Sequence, residues 1–426
     1  MSKMLTETVK NAMEDPTAPV VNDAYRKYVT EQAITEQVKA MAESAAATNT
    51  TAGVRNWDPV LIKMVRRSMP QMIAFDFFGV QPMSGPTGSI FAMRSRYTNQ
   101  TGAEAFFDEA NTAFSGTGTQ AGDPSGVTKG FIDPTVGSEV PSADTSAGTG
   151  MSLSAAEALG DASGTAWNEM AVSVERVDVS AKSRKLKASF SHELATDMRN
   201  IHGLDINTEL SNILSTEIMA EIDRESVRTL NISAKFGAQN ATTPGLYDVD
   251  VDADGRWLVE KFKGLLYLIE TEANAIGTST RRGRGNRILC SPGVATALNM
   301  AGYLDTGGRS KFGTLNDDPA SSTYAGVLSG KFQVFIDPYA VVDYFTVVYK
   351  GANAWDAGIY YAPYVPLQLH TTTAEDTFQP KIGFSTRYGI VANPFVSTLA
   401  NGNSVTGKGL GQGENFYARK VIVKLP

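Results

Sequence analysis

The sequence predicts an α+β protein, and three observations support that class. Helical and strand patterns alternate irregularly along the 426 residues, which argues against a doubly wound sheet. From Asp205 onwards, apolar residues recur at three- and four-residue spacing, which predicts a helix of about thirty residues. The C-terminal half combines strand patterns with many aromatic residues, which is typical of a well-packed mixed core.

Composition excludes several classes of function. Charged residues make up 19% of the chain and hydrophobic residues 42%, which is enough for a large core. The net charge of −7 argues against a general nucleic-acid-binding protein, which would normally be basic. A single cysteine, Cys290, excludes an intrachain disulfide framework and suits a reducing compartment. Because the sequence has neither an apolar run of membrane-spanning length nor an apolar signal core, we expect a large soluble protein of the cytosol.

The N-terminal region changes character after its first 43 residues. "DAYRKYVTEQAITEQVKAMAE" predicts a helix with Asp23 as its N-cap, and the sparse apolar stripe of Tyr28, Ile34 and Met41 is expected to bury little. From Ser44 the chain continues with ten small or polar residues that carry no charge. This pattern is typical of a mobile N-terminal arm.

The following segment predicts an entry helix and a buried run. The pattern indicates a short amphipathic helix around Leu61–Met69, and Pro70 ends it because proline lacks the amide hydrogen that a helix needs. An apolar run then extends from Met72 to Val80. We expect this run to enter the core.

Two strand patterns flank a glycine-rich block. In "SIFAMRSRY", Phe91 and Met93 alternate with Arg94 and Arg96. "WNEMAVSVERVDVSAKSRKLKASF" places two valine pairs in opposite phases, which predicts a bulge between them: Val172 and Val174, then Val177 and Val179. The two strands are expected to pair as a long arm whose basic residues point away from any thick core: Arg94, Arg96, Lys182, Arg184, Lys185 and Lys187. Since an isolated two-stranded ribbon is marginally stable, such an arm must lie on another surface.

The block between these strands, residues 98–166, carries the acidity of the chain. It holds 11 glycines and nine acidic residues against one base, Lys129. The net charge of this block is −8. Because the whole chain has a net charge of −7, the residues outside the block sum to +1. The composition fits either a solvated, partly disordered loop or a small outward-facing insertion domain.

Beyond the arm, the sequence predicts two helices and a series of strands. The long helix has its apolar positions at Leu210, Ile213, Leu214, Ile218 and Ile222. A second helix, "WLVEKFKGLLYLIETEANAIG", is expected to end near Gly277. A strand "RILCSP" and a short helix "GVATALNMA" follow. The remaining predicted strands are "KFQVFIDP", "YFTVVYKG", "GIYYAPYVPLQL", "KIGFSTRYGIV" and "FYARKVIVKL".

No motif in the sequence supports catalysis, so we expect no enzymatic activity, cofactor or metal. "HELAT" around His192 lacks the second histidine of a zinc protease, and both His192 and His202 are expected on a helix surface. Cys290 lies in an apolar strand and is expected to be a buried small hydrophobe. Neither a phosphate loop nor a nucleophile elbow is present.

One dense basic cluster, "RRGRGN", contains Arg281, Arg282 and Arg284. Three interpretations stay open: a solvated loop, a contact between subunits, or a contact with phosphate. Guanidinium groups suit carboxylates and phosphates equally well.

Several long strings resemble one family, the major capsid proteins of T-even-type tailed phages. The resemblance covers roughly Arg55–Tyr97 and Trp167–Leu425. It rests on "WDPVLIKMVRRSMPQMIAFDFFGVQPMSGPTGSIFAMRSRY", "WNEMAVSVERVDVSAKSRKLKASFSHELATDMRNIHGLD", "ELSNILSTEIMAEIDRE", "YAGVLSGKFQVFIDPYA", "DYFTVVYKG", "DAGIYYAPYVPLQL" and "FQPKIGFSTRYGI". The resemblance implies the HK97-type capsid fold and a structural subunit that assembles as hexamers into an icosahedral or prolate head shell around double-stranded DNA.

The resemblance also implies a division of the chain. The expected parts are a propeptide (1–43), an N-arm with its entry helix (44–83), an extended two-stranded loop (84–97 and 167–190), an insertion (98–166), a peripheral domain (191–256 and 370–426) that contains the spine helix, and an axial domain (257–369). The family's insertion is longer and does not align with the acidic block. Contacts that the family makes through its insertion, including those with outer decoration proteins, are therefore in doubt here.

The resemblance implies proteolytic maturation by a prohead protease. Such proteases favour an aliphatic residue, any residue, glutamate and then a small residue. Met41, Glu43 and Ser44 fit this pattern, with methionine in place of the usual leucine or isoleucine, so cleavage is expected after Glu43. Ile34 begins a second match that fails because Gln37 is not small. An uncleaved mobile N-terminus is the alternative.

The partners implied by the resemblance are other copies of the chain, the vertex protein, portal, scaffold, prohead protease and the host chaperonin with its cochaperonin. No membrane and no sequence-specific DNA binding are expected. The chain would lie in the virion head shell, and in the host cytoplasm during assembly. Two rival interpretations are a pentameric vertex paralogue and an encapsulin-like cellular compartment. Basic residues of the arm and of "RRGRGN" are expected at subunit contacts: Arg94, Arg96, Lys182, Arg184, Lys185, Lys187, Arg281, Arg282 and Arg284.

Overall fold

Helices and strands both contribute to the structure, which confirms the α+β class. The computed structural model describes residues 26–35, 72–106, 110–118, 148–160, 166–239, 241–253, 255, 257–305, 323–353, 356–374, 378–394 and 410–425. The chain divides into two units, the first comprising Met1–Gly88, Asp178–Asn393 and Leu410–Pro426, and the second Ser89–Val177 and Pro394–Gly409. The domain bounds implied by the resemblance stay predictions. No helix in the described ranges is long and apolar enough to cross a membrane.

An eight-stranded mixed sheet forms much of the first unit. Its strands are β5 (Ala234–Phe236), β6 (Leu246–Asp248), β7 (Arg287–Cys290), β8 (Leu304–Asp305), β9 (Thr323–Leu328), β10 (Phe332–Ile336), β11 (Tyr344–Val348) and β14 (Asn415–Lys424). The order is β5-β14-β11-β7-β10-β9-β8, with β6 on β14. Ile288, Phe345 and Val421 are fully buried, as expected of central strands covered on both faces. Helices α6 (Leu258–Thr280) and α7 (Pro292–Met300) follow the predicted patterns.

The pairing of the C-terminal strand β14 was not predicted from the sequence. This C-terminal strand pairs with β11, so it completes the sheet built mainly from residues 257–369. Its alternating pattern shows that it is a strand but carries no information about its partner. The sequence pattern also gave no prediction for β9, and α6 ends at Thr280 rather than near Gly277.

The first unit also contains a four-stranded sheet in the order β1-β12-β13-β4. Its strands are β1 (Gly79–Val80), β4 (Lys182–Ser189), β12 (Ile359–Thr373) and β13 (Pro380–Ala392). The assignment of β4 to the two-stranded arm is therefore wrong. β4 pairs with β13 because Leu186 and Ala188 on one of its faces pack against the buried core.

The long helix α5 (Ile206–Ser233) is confirmed and packs against β4 and β13. The Asp205 side chain accepts a hydrogen bond from the Asn207 amide at 3.3 Å, which satisfies one of the free amides at the helix start. Ile218 and Ile222 are buried, as predicted, but Ile213 is 60% exposed. Helix α4 (His192–Asp197) and a π-helical turn (Met198–His202) precede α5, with His192 and His202 exposed as predicted.

The N-terminal helix α1 (residues 26–35) buries apolar side chains, so the expectation that it would bury little is wrong. Val29 and Ile34 are fully buried, while Tyr28 is 56% exposed. The burying face is formed by Val29, Ala33 and Ile34, a stripe that includes small and β-branched residues and was not recognised from Tyr28, Ile34 and Met41. It joins the cluster that contains the short helix α2 (Ala74–Phe77). The predicted helix around 61–69, with its stop at residue 70, lies outside the described residues.

The second unit contains a two-stranded ribbon of β2 (Thr87–Tyr97) and β3 (Met170–Ser180), which confirms the predicted pairing. The predicted bulge is wrong, because burial alternates without interruption along β3. Of the acidic block, the structure describes a short helix α3 (Leu153–Glu157) and a bridge between Thr117 and Thr149. The rings of Tyr97 and Phe114 pack 4.6 Å apart, which joins the block to the end of the ribbon.

Candidate functional site

One face of the ribbon is covered by a charged cluster around Arg94. This side chain is fully buried, and its guanidinium lies 2.7 Å from a Glu104 carboxylate oxygen and 3.2 Å from a Glu175 oxygen. It also donates a hydrogen bond to the Pro394 carbonyl at 3.2 Å. The expectation that Arg94 points away from any core is therefore wrong. Its partners come from the loop after β2 and from β3.

Arg96 is buried in the same cluster, so the same expectation is wrong for it. It donates hydrogen bonds to the Ser173 hydroxyl and the Gly102 carbonyl, both at 2.8 Å. Burial raises the pKa of Glu104, and the neighbouring Arg94 offsets only part of that rise. The acidic residues that neutralise both arginines were visible in the sequence. Local alternation alone could not show that the loop containing Glu104 folds back over the strand.

Besides the charged Arg176 and Asp178, the other face of the ribbon exposes a set of apolar side chains. We call this set the ribbon apolar face: Phe91 (63% exposed), Met93 (69%), Met170 (52%), Val172 (48%) and Val174 (62%). Successive side chains in a strand point to opposite sides, so burial of the arginines leaves these residues on the outside. A contiguous exposed apolar patch is typical of a protein contact site. Sequence reasoning had assigned the contact to the basic face instead.

Arg184 on β4 also binds within the chain. Its guanidinium lies 2.6 Å from Glu221 and also contacts Glu225, both on α5, and it donates to the hydroxyl of Tyr388. Tyr388 donates in turn to Glu225. Partial burial disfavours the ionised form of Glu225, but the hydrogen bonds from Tyr388 and Arg184 outweigh it and lower its pKa. This cluster fastens the edge strand to the long helix.

Three lysines on the same strand remain exposed: Lys182, Lys185 and Lys187. Strand β4 is the last strand of its sheet in the described topology. Lysines at such an edge discourage indiscriminate pairing with other strands, and they also present positive charge to a specific acidic partner. They are the members of the predicted basic set on the arm that are available for contact.

The "RRGRGN" loop joins α6 to β7 and presents its guanidinium groups outward. Arg281 ends the helix in a left-handed conformation at φ 53°, and Arg281, Arg282 and Arg284 are exposed. Arg282 lies 3.9 Å from Asp356, a loose surface ion pair. A Cβ on Gly283 would lie 2.6 Å from the Tyr349 ring, so the loop needs glycine to pack this closely.

The residues with metal or nucleophile chemistry form no obvious site in the described ranges. Cys290 is buried, as predicted, and burial raises the pKa of its thiol to about 12. No group of three or more His, Cys, Asp or Glu that could hold a metal is found among the described residues. The predicted cleavage residues Met41, Glu43 and Ser44 lie outside those residues.

The ribbon buries one face within the chain and leaves apolar side chains exposed on the other, which is typical of proteins that bind other proteins. The chain belongs to the family described as "Major capsid protein Gp23", which matches residues 54–423. The α+β class expected for such a chain is confirmed by its helices and sheets, and the HK97-type fold stays what the resemblance implies.

Similar proteins include three major capsid proteins. That of Salmonella phage ViI is 48% identical, covering 91% of this chain and 89% of its own; that of Serratia phage KSP90 is 46% identical with the same coverage. The major capsid protein of Enterobacteria phage T4 is 37% identical over 96% and 91% of the two chains. The capsid vertex protein of the same phage is 25% identical to this chain, over 52% of each of the two chains. A solved structure described as the capsid of Myoviridae Phage XM1 is 8% identical, with a TM-score of 0.41 and coverage of 83% and 92%.

We expect Glu225→Gln to lower the free energy of unfolding at pH 7 by about 1 kcal/mol, a modest effect because the Glu225 side chain is 38% exposed. A lowered pKa means that this carboxylate stabilises the fold above its ordinary value of 4.5 and stops doing so as the pH falls through the lowered value. The difference between the two proteins should therefore narrow below pH 4.5 in urea titrations. Glu217→Gln, on the exposed side of the same helix, is the matched control. A difference in the free energy of unfolding that stays constant down to about pH 3 would contradict the stabilising role of the Glu225 carboxylate.

Proposed function

We propose that this chain is the structural subunit that builds a phage head shell by self-association. The observation that carries the proposal is its membership of the major capsid family across residues 54–423. In finer detail, the subunits form hexameric capsomers that tile an icosahedral or prolate shell around double-stranded DNA. The chain would occupy the virion, and the host cytoplasm during assembly.

The ribbon provides a physical route to this association. Its covered face is held by Arg94 and its two carboxylate partners, so the strands are held in place before any contact with a neighbour. Its apolar face lacks a cover within the described residues. Burial against a second subunit would remove this apolar surface from water, which is the main favourable term in protein association.

The degree of likeness favours the hexamer-forming subunit over the vertex paralogue. The similarity to the T4 major capsid protein extends over 96% of this chain, whereas that to the T4 vertex protein extends over 52%. Copy number per particle distinguishes the two, since a shell contains many more hexamer subunits than vertex subunits. An encapsulin-like compartment would differ again, because it would contain cargo enzyme and no genome.

The proposed partners are further copies of the chain, the vertex protein, portal, scaffold, prohead protease and the host chaperonin with its cochaperonin. Decoration proteins would need a different attachment from that of the family, because the acidic block does not align with the family's insertion. The shell would enclose DNA without sequence-specific binding. The near-neutral charge outside the acidic block suits a shell that encloses DNA without binding its phosphates tightly.

We expect Met93→Asp to prevent shell assembly while leaving the subunit folded. Met93 is 69% exposed, so the substitution removes little packing within the chain, but a buried carboxylate at the contact would be strongly unfavourable. The yield of particles, measured by sedimentation of lysates from cells that also make the other head proteins, should decrease at least about tenfold. Met93→Leu, which keeps the apolar surface, should assemble normally. Normal assembly of Met93→Asp would exclude the ribbon apolar face as a subunit contact.

We propose that the exposed basic residues form subunit contacts through charge: Lys182, Lys185, Lys187, Arg281, Arg282 and Arg284. The acidic block, with its net charge of −8, supplies a complementary surface on a neighbouring copy. The double change Lys185→Glu and Lys187→Glu should reduce particle yield about tenfold, with a stronger effect at low salt. The matched change of both residues to arginine should preserve assembly. Equal yields from both variants would refute the contact at β4.

We also propose cleavage between Glu43 and Ser44 during maturation, with Met41 in the recognition sequence. Intact mass and N-terminal sequencing of the chain from DNA-filled particles should give a start at Ser44. Glu43→Gln should leave the chain uncut, because the proposed protease requires glutamate before the cut. Chains that begin at Met1 in DNA-filled particles would show that the segment is retained.

A further inference from the structure

Helix α1 is docked in the main apolar core of the first unit. Val29, Thr30 and Ile34 are 0% exposed, and Ala33 is 5% exposed. The three apolar residues of this set belong to the same buried cluster as Met72 and Phe78. A helix of about ten residues is marginal in water by itself, so these tertiary contacts stabilise it.

Polar contacts fasten the start of the helix to the same place. The Arg26 guanidinium forms an ion pair with the Asp76 carboxylate. It also lies 5.9 Å from the centre of the Phe75 ring, within the range of a cation–π contact. The helix is thus held by three buried apolar side chains and one charged clamp.

The surface beneath the helix is held independently of it. The Asp223 carboxylate of α5 accepts a hydrogen bond from the Ile73 amide at 3.0 Å. Lys350 donates to the Phe75 carbonyl, and Arg287 of β7 lies 3.2 Å from the Asp76 carboxylate. We call the apolar surface on which α1 packs the groove; it includes residues 72–78, which α5, β7 and the segment after β11 keep in position.

We propose that this groove is a binding site for helix α1 that does not depend on chain continuity. After a cut at Glu43–Ser44, the N-terminal fragment stays bound, and the groove is uncovered only when the helix leaves. Release of the helix, rather than scission of the bond, is then the event that changes the surface of the subunit. The biological setting of this inference rests on the proposed N-terminal processing, but the binding itself does not.

The test uses the full chain with a site-specific protease sequence inserted between Glu43 and Ser44. The unassembled protein is purified, cut completely and passed over a size-exclusion column at micromolar concentration. We expect the N-terminal fragment to elute with the remainder of the chain. Elution of the fragment on its own would overturn the proposal.

Two aspartate substitutions identify the contact. Ile34→Asp places a carboxylate in the groove and should release the fragment after cutting, with binding at least about tenfold weaker. Tyr28→Asp makes the same change on the exposed side of the helix and should leave the fragment bound. Equal retention of both variants would show that the fragment is not bound through the groove.

A gentler variant covers the case in which Ile34→Asp fails to fold. Arg26→Ala removes only the charged clamp, and the fragment should dissociate at least about fivefold faster on dilution. High salt should likewise accelerate dissociation of the fragment from the unchanged protein, because it screens the ion pair. An unchanged rate would contradict the role of the clamp. Because all measurements use unassembled protein, a failure of shell formation or of natural cleavage leaves their outcome unaffected.

Discussion

The first unit depends on how the short segment from Met72 to Phe78 is held. Its apolar side chains enter the core, while its backbone and carboxylate groups are bound by Asp223, Arg287 and Lys350, which are distant in sequence. Buried backbone groups must find partners, and here side chains provide some of them because the segment forms only one helical turn and the two-residue strand β1 begins after it. Long helix, mixed sheet and N-terminal helix thus meet on one short stretch of chain.

The ribbon solves a different physical problem. Two strands alone cannot bury both of their faces, and a buried arginine is tolerated only when its charge is neutralised. Arg94 and Arg96 meet this condition with carboxylates from the following loop and from β3. One face is then complete within the chain, and the remaining apolar surface has a single orientation. Which face is free is decided by charge pairing, since both faces contain large side chains.

The sequence was sufficient for element type and for most element positions. Strong patterns, such as those of α5 and of strands β10 to β14, depend on local periodicity and were recovered. Partner choice was not recoverable in the same way. β4 joined a sheet rather than the ribbon, and β14 joined the larger sheet, because identical alternation is compatible with several partners.

The candidate site shows the same limit at the level of single residues. Arg94 and Lys187 are both basic residues on strands, but one is fully buried and the other is exposed. The difference arises from a loop that brings Glu104 over Arg94, a tertiary event with no periodic signal. Similarly, burial of Val29 and Ala33 places α1 in the core, whereas the apolar stripe predicted from larger side chains was too narrow to indicate this.

The strength of one ribbon contact has a consequence for assembly. Each of its five side chains is roughly half exposed, so covering the rest contributes roughly 1 kcal/mol apiece, or about 5 kcal/mol in all. The loss of translational and rotational freedom on association costs about 4–15 kcal/mol. The proposed ribbon contact alone therefore falls short of most of this range. In a shell of the proposed kind, association becomes favourable when several such contacts form at once, so that early contacts are reversible and the closed shell is stable.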